Sequence, residues 1–317
     1  MLVRFWGTFG SLPAPVSATD VRGKLRAALT AAAGRTFAGD AELDAFIDGE
    51  LTFDVRGTYG GDTSCVELTT GGDDYVICDA GSGLRTFGER LVAERGPTGH
   101  TIHLFQSHLH WDHLMGFPFF VPAYISGNRI IVYGCHANIR EAYQVQMSAP
   151  FFPVDFSRLG ASVEFVRLEP GQDYQIAGLT MRAMKQYHAG DSYGFRFSRN
   201  GKTVIYATDS EHKFRRPEDR QPFIDFFRDA DLLIFDAMYT LVESLTLKED
   251  WGHSSNVVGI ELAQAAGVRM LALFHHDPSA GDGTITRRYQ DSQRYQRLTG
   301  ERMVEVITAY DGLEVTV

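Results

Sequence analysis

The chain has 317 residues, of which 44% are hydrophobic and 22% charged, a composition typical of a globular protein with a large core. Its formal net charge of −10 argues against binding of DNA or RNA over a broad basic surface. No run of about 18 apolar residues predicts a membrane span, and the first residues do not read as a signal peptide. The three cysteines lack a C-x-x-C spacing, so a reducing, cytoplasmic location is expected.

In chain order, the pattern predicts a short strand over residues 2–6 and then two helices between residues 18 and 50, which we interpret as an insertion. A hairpin is predicted over 65–69 and 75–78. Further strands are predicted over 101–106, 129–133, 162–166, 179–183, 194–197, 203–206, 232–235 and 270–274, and helices over 84–94, 137–147, 218–227, 256–266 and 285–298. This order favours an α/β layered fold, with one domain over 1–317 that carries the helical insertion 18–50.

The densest chemical signal is the run of residues 107–113, Ser-His-Leu-His-Trp-Asp-His, which follows an apolar strand. In an extended chain His108 and His110 point to the same side, and a turn after them would carry Asp112 and His113 to a second position. Imidazole and carboxylate are zinc ligands, and two such positions suit a pair of cations about 3.5–4 Å apart that share a water. The alternative is an unrelated surface loop that happens to be rich in histidine.

H-x-H-x-D-H is the signature of the metallo-β-lactamase superfamily, and the chain resembles its ribonuclease Z-like phosphodiesterase branch. The resemblance includes residues 4–8, 60–65 and 79–83, and residues 309–312 are similar to the final strand of that branch. It implies an αββα sandwich, in which two mixed β-sheets face each other with helices outside and metals at one edge. Asp62 departs from the pattern, because relatives often carry Asn there.

The resemblance also implies three further metal ligands. His188 matches the third ligand of the first metal, and Asp209 matches the aspartate that bridges both; the alternatives are an ordinary loop histidine and a helix cap. The last ligand matches His275, which strand alternation also favours over His276. The expected ligands are His108, His110 and His188 for the first metal and Asp112, His113 and His275 for the second, with Asp209 and a hydroxide between them. The implied cofactors are two divalent ions, zinc before Mn²⁺ or Fe²⁺.

Two further motifs bear on the reaction. Residues 252–255, Gly-His-Ser-Ser, resemble the G-H-S-T motif of the branch, and residues 235–239 resemble its E-A-T-Y segment, with Asp236 in place of Glu. In that branch the histidine contacts the scissile phosphate and the carboxylate orients it. The candidate catalytic residues are therefore His253, Asp236 and Asp112. The alternative is that His253 merely precedes a helix that Ser254 or Ser255 caps.

Together these motifs predict a metal-dependent phosphodiesterase that acts through a metal-bridging hydroxide. Ribonuclease Z grips tRNA with a long basic arm, and no such segment is found between residues 113 and 209. With the net charge of −10, this favours a small phosphodiester, such as a cyclic nucleotide, over tRNA or another nucleic-acid polymer. Alternatives are a carboxylic ester, lactone or thioester hydrolase, an RNA-processing endonuclease, and a degenerate member that binds without turnover. A homodimer is a further expectation from the family, and no membrane partner is expected.

Two aromatic clusters, residues 117–120 and 150–153, have no assigned role. They either wall a substrate pocket near the metals or pack in the core. Four more histidines show no partner in the sequence and are expected to be ordinary residues: His100, His103, His136 and His212.

Overall fold

Two seven-stranded β-sheets face each other at the centre of the computed structural model, which describes residues 1–214, 216–299 and 302–317. The first sheet has the order β14-β1-β2-β3-β4-β5-β6, with β1 Leu2–Gly7, β2 Cys65–Thr69, β3 Tyr75–Cys78, β4 Thr101–Phe105, β5 Arg129–Gly134, β6 Ser162–Arg167 and β14 Glu314–Thr316. The second has the order β13-β12-β11-β10-β9-β8-β7, with β7 Asp173–Ile176, β8 Leu179–Gln186, β9 Ser192–Arg199, β10 Lys202–Ala207, β11 Leu232–Asp236, β12 Met270–Phe274 and β13 Glu305–Thr308.

Both sheets are mixed. Strands β3 to β6 are parallel neighbours in the first sheet, and β10 to β13 are parallel neighbours in the second. The remaining neighbours are antiparallel. Parallel strands that are covered on both faces need apolar side chains on both sides, which explains the nearly continuous apolar runs in the middle of the chain.

Helices cover the outer face of each sheet, and the predicted αββα sandwich is confirmed. On β5, Ile130 and Val132 pack against the helices that cover the first sheet, whereas Ile131 and Tyr133 face the second sheet. The helices are α1 Ala18–Ala31, α2 Asp40–Glu50, α3 Phe53–Arg56, α4 Gly83–Arg95, α5 Ile139–Gln146, α6 Gln221–Phe227, α7 Leu241–Leu245, α8 Asn256–Ala266 and α9 Asp282–Thr299. Helices α4 and α5 lie on the first sheet, and α6 and α8 lie on the second.

The two predicted N-terminal helices are α1 and α2. Helix α1 buries none of its residues, and Leu25 and Leu29 on it are 60% and 72% exposed. Polar contacts fasten it instead: the Lys24 ammonium donates to the carbonyl of Gly57 and to the carboxylate of Asp282 on α9. The division of the chain into one domain with an 18–50 insertion stays a prediction.

Three short strands escaped the sequence analysis, namely β7, β13 and β14. The predicted final strand at residues 309–312 is wrong, because these residues form the turn that joins β13 to β14. Their backbone is held by neighbours in both sheets: Ala309 N–H donates to Leu273 O, and Gly312 N–H donates to Phe5 O. Residues 217–220 form a 3₁₀ turn before α6 rather than part of one helix.

Asp311, in that turn, fastens the glycine-rich loop at residues 60–62. Its Oδ2 accepts hydrogen bonds from the N–H groups of Gly61 and Asp62 at 2.8 and 2.9 Å, and its Oδ1 accepts one from Thr8 Oγ1 at 2.9 Å. Gly60 has φ +108°, and a Cβ there would lie 2.1 Å from the carboxyl carbon of Asp311. Only glycine therefore permits this approach.

Among the described residues, no helix combines the length and hydropathy that a membrane crossing requires. The three cysteines, Cys65, Cys78 and Cys135, are free thiols buried in the core.

The Asp311 carboxyl provides a test of this packing through pH. Burial, the largest effect, raises the pKa of Asp311 to about 7 despite its backbone hydrogen bonds, above the ordinary value of 3.8. The free energy of unfolding of the wild type should therefore fall, relative to Asp311→Asn, as the pH rises from about 4 to about 7, by up to ~4 kcal/mol. Urea denaturation across this range measures the difference. Exposed Asp73→Asn is the control, and parallel pH profiles for wild type and Asp311→Asn would contradict the expectation.

Candidate metal centre

The histidine-rich run lies at the end of β4, between the two sheets. Residues 111–113 form a single 3₁₀ turn, which redirects the chain after His110. Asp112 and His113 therefore belong to a different group of side chains from His108 and His110, as the sequence analysis anticipated, although the ring centroids of His108 and His113 stay 4.1 Å apart. His108 and His113 are buried, while Trp111 between them in the chain is 65% exposed.

The structure brings all seven predicted ligands together as two neighbouring groups. Within each group, one potential ligand atom of every residue lies within 4.8 Å of the others. The first group contains His108, His110 and His188, and the second contains Asp112, His113, Asp209 and His275. This division is the one expected from the sequence, although the role of these residues as ligands stays a prediction.

Asp209, directly after β10, lies between the two groups. Its Oδ1 is 3.3 Å from His113 Nε2 and 3.2 Å from His275 Nε2, on the side of the second group. Its Oδ2 is 3.5 Å from His108 Nε2 and 3.7 Å from His188 Nε2, on the side of the first. Each carboxylate oxygen thus faces one group, which is the arrangement that a bridging ligand requires.

The residues fit a pair of divalent cations. The buried Nε2 of His108 has no hydrogen-bond partner among the described residues, and such an orphaned atom is costly unless a ligand completes it. Burial and the neighbouring His113 keep the pKa of His108 well below its usual range, so its imidazole is neutral and its nitrogen lone pair is available. Nitrogen and carboxylate oxygen donors in this number suit zinc or a similar metal.

Asp79, the residue after β3, orients the second group from behind. Its Oδ2 accepts hydrogen bonds from His113 Nδ1 at 2.6 Å and from the hydroxyls of Ser107 and Tyr206, both at 2.7 Å. The bond to Nδ1 leaves Nε2 of His113 as the donor atom for a cation. The sequence analysis named Asp79 only within a motif and gave it no role. Its position directly after a buried strand is the sequence feature that could have indicated this role.

His188 is oriented by a backbone carbonyl. Its Nδ1–H donates to Gly252 O at 2.8 Å, so its Nε2 faces the first group. Gly252 has φ +84°, and a Cβ there would lie 2.2 Å from His188 Nδ1. The glycine of the Gly-His-Ser-Ser motif therefore permits this close approach.

His275 belongs to the second group, whereas His276 does not. His275 Nε2 lies 3.3 Å from Asp112 Oδ2, while His276 Nε2–H donates to Ala309 O at 2.8 Å. Strand alternation is not the reason, because β12 ends at Phe274 and His275 has φ +60°. That left-handed backbone directs the ring into the centre.

His253 and Asp236 form a buried pair beside both groups. His253 Nδ1–H donates to Asp236 Oδ2 at 3.0 Å, and its Nε2 makes no hydrogen bond within the described parts of the chain. Although burial opposes protonation, the Asp236 carboxylate raises the pKa of His253 to about 9. The pair therefore combines an imidazole fixed by a carboxylate with a free Nε2, the arrangement that a proton donor needs.

The expected cap of the following helix is present as well. Ser255 is the N-cap of α8, where its side chain accepts from Val258 N–H, so the capping interpretation is confirmed, while the catalytic role of His253 stays a prediction. His212, expected to be ordinary, lies under this loop, with its Nδ1 2.5 Å from Ser254 Oγ. Burial lowers the pKa of His212 to about 4, which keeps it neutral. Nothing in the sequence pairs His212 with Ser254, because the two are far apart in the chain.

Asp62, the departure from the family pattern, serves as a hydrogen-bond acceptor. Its Oδ1 accepts from Ser82 Oγ at 2.7 Å, and Ser82 Oγ in turn accepts from Thr63 N–H at 2.9 Å. An asparagine oxygen could accept the same hydrogen bond, so the exchange of Asn for Asp is conservative at this position.

Comparison with known proteins agrees with this geometry. The family model described as the beta-lactamase superfamily domain matches residues 74–276. The ribonuclease Z of Haloarcula marismortui is 26% identical over 298 residues, covering 80% of this chain and 90% of that protein. The resemblance to the ribonuclease Z-like branch is confirmed.

Two solved structures share the fold. The metallo-β-lactamase fold protein YhfI of Bacillus subtilis matches with a TM-score of 0.64 and 17% identity, covering 99% of this chain and 98% of that one. Human tRNase Z, short form, matches with a TM-score of 0.62 and 19% identity, covering 100% of this chain and 99% of that one.

The prediction of a small phosphodiester substrate in preference to tRNA or another nucleic-acid polymer is wrong. The similar protein of Haloarcula marismortui is a ribonuclease, so the comparison points to nucleic acid instead. The error lies in the use of net charge. The value of −10 is a sum over the whole chain, whereas charges beyond about 10 Å of a substrate are largely screened.

Removing the orienting carboxylate should weaken metal binding. The variant Asp79→Asn lacks the charged acceptor that keeps the proton of His113 on Nδ1. We therefore expect zinc affinity at the second group to fall by about 10- to 100-fold. Competition with a chromophoric chelator measures this affinity. The matched control is Asp74→Asn, which removes a carboxylate 3.4 Å from His103 outside the centre. Equal zinc affinity in the two variants would contradict the assigned role of Asp79.

Proposed function

Because the chain belongs to the beta-lactamase superfamily and is a hydrolase of the metallo-β-lactamase fold, we propose that its metal centre hydrolyses a phosphodiester bond in RNA. The family implies divalent metal ions for this hydrolase, and the finer statement, a metal-dependent ribonuclease of the ribonuclease Z type, is our proposal. Zinc is the proposed metal, because the donor set consists of imidazole nitrogens and carboxylate oxygens.

The observation that carries the proposal is the His253–Asp236 pair next to the two donor groups. His253 Nδ1 lies 3.0 Å from Asp236 Oδ2 and 3.9 Å from Asp209 Oδ2, so the imidazole borders the centre. In phosphodiester hydrolysis negative charge gathers on the non-bridging oxygens and on the leaving oxygen. A protonated histidine at this border suits both.

In the proposed mechanism the seven residues of the two donor groups hold two divalent cations. When bound, such a pair supplies a hydroxide at neutral pH and neutralises charge on the phosphoryl oxygens. Asp209 presents one oxygen to each side. Asp112 is fixed by the backbone N–H of Ser11, which donates to its Oδ2 at 2.7 Å.

His253 completes the reaction in this proposal. Asp236 accepts from its Nδ1–H and is itself held by the N–H groups of Ser210 and Met238, at 3.2 and 3.1 Å. The remaining proton of the imidazolium, on Nε2, is donated to the leaving oxygen of the RNA. Such general-acid help accelerates cleavage by about 10²- to 10⁴-fold.

RNA is proposed as the substrate on two grounds. The first is the similarity to the ribonuclease Z of Haloarcula marismortui. The second is local charge: two divalent cations would bring four positive charges against the carboxylates of Asp79, Asp112, Asp209 and Asp236, so the centre would be far less acidic than the chain as a whole and would offer cations to phosphate oxygens.

The proposal is tested by measuring the activity of the protein on three substrates. The protein is first depleted of metal and then restored with zinc, manganese or iron. The substrates are a tRNA precursor with a 3′ extension, bis(p-nitrophenyl) phosphate and p-nitrophenyl acetate. Zinc-restored protein is expected to cleave the precursor and the chromogenic phosphodiester. Cleavage of the acetate alone would identify an acyl ester hydrolase instead, and activity that survives a chelator would overturn metal dependence.

Loss of the bridging carboxylate should abolish turnover. Asp209→Ala leaves both groups without their shared oxygen ligand, so RNA cleavage should fall by at least about 10²-fold, with less than two equivalents of zinc bound per chain. Inductively coupled plasma analysis and initial rates measure the two effects. Full activity of this variant would overturn the proposed centre.

The effect of removing the His253 side chain should depend on the leaving group of the substrate. His253→Ala should lower kcat on RNA by about 10²- to 10⁴-fold, because the leaving ribose oxygen must be protonated. On bis(p-nitrophenyl) phosphate the loss should be much smaller, because p-nitrophenolate leaves without a proton. Initial rates on both substrates measure the ratio.

Asp236→Asn is the companion variant, because it keeps the shape of the pair and removes the charge that holds the imidazolium. It should show the same dependence on leaving group with a smaller loss. Equal losses on both substrates would instead assign His253 to binding of the phosphate.

A further inference from the structure

An aromatic pocket of about 480 Å³ opens beside the second donor group, and nothing in the proposed mechanism uses it. Four of the eleven residues that line it are aromatic: Trp111, Phe119, Phe151 and Phe152. Phe152 packs edge-on against Phe119, with ring centroids 5.5 Å apart. We call this site the aromatic pocket. It joins the two aromatic clusters that the sequence left without a role.

The aromatic side chains of the pocket face solvent to an unusual degree. Trp111 is 65% exposed, Phe119 57% and Phe151 69%, whereas the neighbouring Phe117 and Phe120 are buried in the core. Exposed apolar groups gathered in one concave place indicate a binding site rather than packing.

The pocket is a neighbour of the metal centre. Trp111, which lines the pocket, lies between the potential ligands His110 and Asp112 in the chain. Ser82, which lines the pocket, accepts from Thr63 N–H, and Thr63 Oγ1 donates to the carbonyl of Asp112 at 2.7 Å. These bonds link one wall of the pocket to the backbone of a potential metal ligand.

A second observation points to the chemistry of the ligand. Gln146, the last residue of α5, lines the pocket, and both its amide nitrogen and its amide oxygen are shielded from water without a hydrogen-bond partner in the described parts of the chain. An unpaired amide of this kind is unfavourable, and a turn of the Gln146 side chain into the pocket would pair it with a ligand that offers an acceptor and a donor side by side. Arg85, at the rim, adds a guanidinium that already pairs with Glu89 at 3.1 Å.

We propose that the aromatic pocket binds one unstacked nucleobase of the RNA, next to the scissile phosphate, and this inference rests on the proposed function. A nucleobase is the ligand that matches both features, because its faces stack on aromatic rings and its polar edge pairs with an amide. A purely apolar ligand would leave the Gln146 amide unpaired. The base stacks on Trp111 and the phenylalanine rings, and its polar edge pairs with Gln146.

The test combines RNA substrates that lack one base with protein variants that lack one aromatic ring. RNA substrates are made in which each nucleotide around the scissile phosphate is replaced, one at a time, by an abasic nucleotide. For the wild type, one of these positions should raise KM by about 5- to 150-fold with little change in kcat, because stacking binds the ground state and the transition state alike.

In Trp111→Ala that dependence should disappear, so that intact and abasic substrates have equal KM. Trp111→Phe, which keeps an aromatic face, should restore most of it, a result that a merely structural role would not produce. Gln146→Leu should reduce the penalty of the abasic position while keeping the stacking. Trp251→Ala, which removes another exposed tryptophan outside the pocket, is the control and should retain the wild-type ratio. An unchanged ratio in Trp111→Ala would overturn the inference.

A binding experiment separates this inference from the proposed function. In a Trp251→Phe background the only exposed tryptophan is Trp111, since Trp6 is buried. Quenching of its emission by a single-stranded oligoribonucleotide, but not by its abasic counterpart, would support the pocket even if no RNA is cleaved. Equal emission with both oligonucleotides would overturn the pocket, whatever the activity of the enzyme.

Discussion

The structure depends on one demand, that seven potential ligand side chains present their atoms to two neighbouring points. Asp209 shows how this is met, because its two oxygens face opposite groups at 3.2–3.7 Å. Buried donor atoms without partners are costly, and imidazoles this close together cannot all carry protons. The surroundings therefore fix which nitrogen carries the proton, through the Asp79 carboxylate on His113 and the Gly252 carbonyl on His188.

The two facing sheets bring these side chains together because the loops that carry them follow strands whose ends lie close to one another. The donor residues come after β4, β8, β10 and β12, and the carboxylates of Asp79 and Asp236 come at the ends of β3 and β11. Asp79, Asp209 and His275 all have positive φ, at 62°, 45° and 60°. Left-handed backbone in residues other than glycine costs about 1–2 kcal/mol each, and it persists where surrounding contacts over-determine it. The strands thus bring these three residues close to the centre, and their left-handed backbone sets the direction of their side chains.

Which substrate the protein accepts depends on the charges near the centre and not on the net charge of the whole chain. A net charge of −10 describes the surface on average, but cations at the centre and aromatic faces beside it act at contact distance. Stacking on Trp111 and pairing with Gln146 do not require a basic surface. An acidic chain and a polyanionic substrate are therefore compatible, provided that recognition is confined to the region around one scissile phosphate.

The sequence by itself determined the order of most strands and helices and the chemistry of the residues 107–113 run, because these follow from local periodicity and from the spacing of ligands within a few residues. Resemblance to a family extended the candidate ligands to His188, Asp209 and His275. Only the tertiary structure decided that His275 rather than His276 turns inward, since one residue's φ controls that direction.

The tertiary structure also decided which side chains stand behind or beside the centre. Asp79 holds His113 across 34 positions of sequence, and His212 holds Ser254 across 42. It divided the 117–120 cluster into the buried rings of Phe117 and Phe120 and the exposed ring of Phe119. The physical reason is the same in each case: burial, hydrogen-bond partners and side-chain direction after a strand end are set by neighbours distant in the chain, which no local pattern encodes.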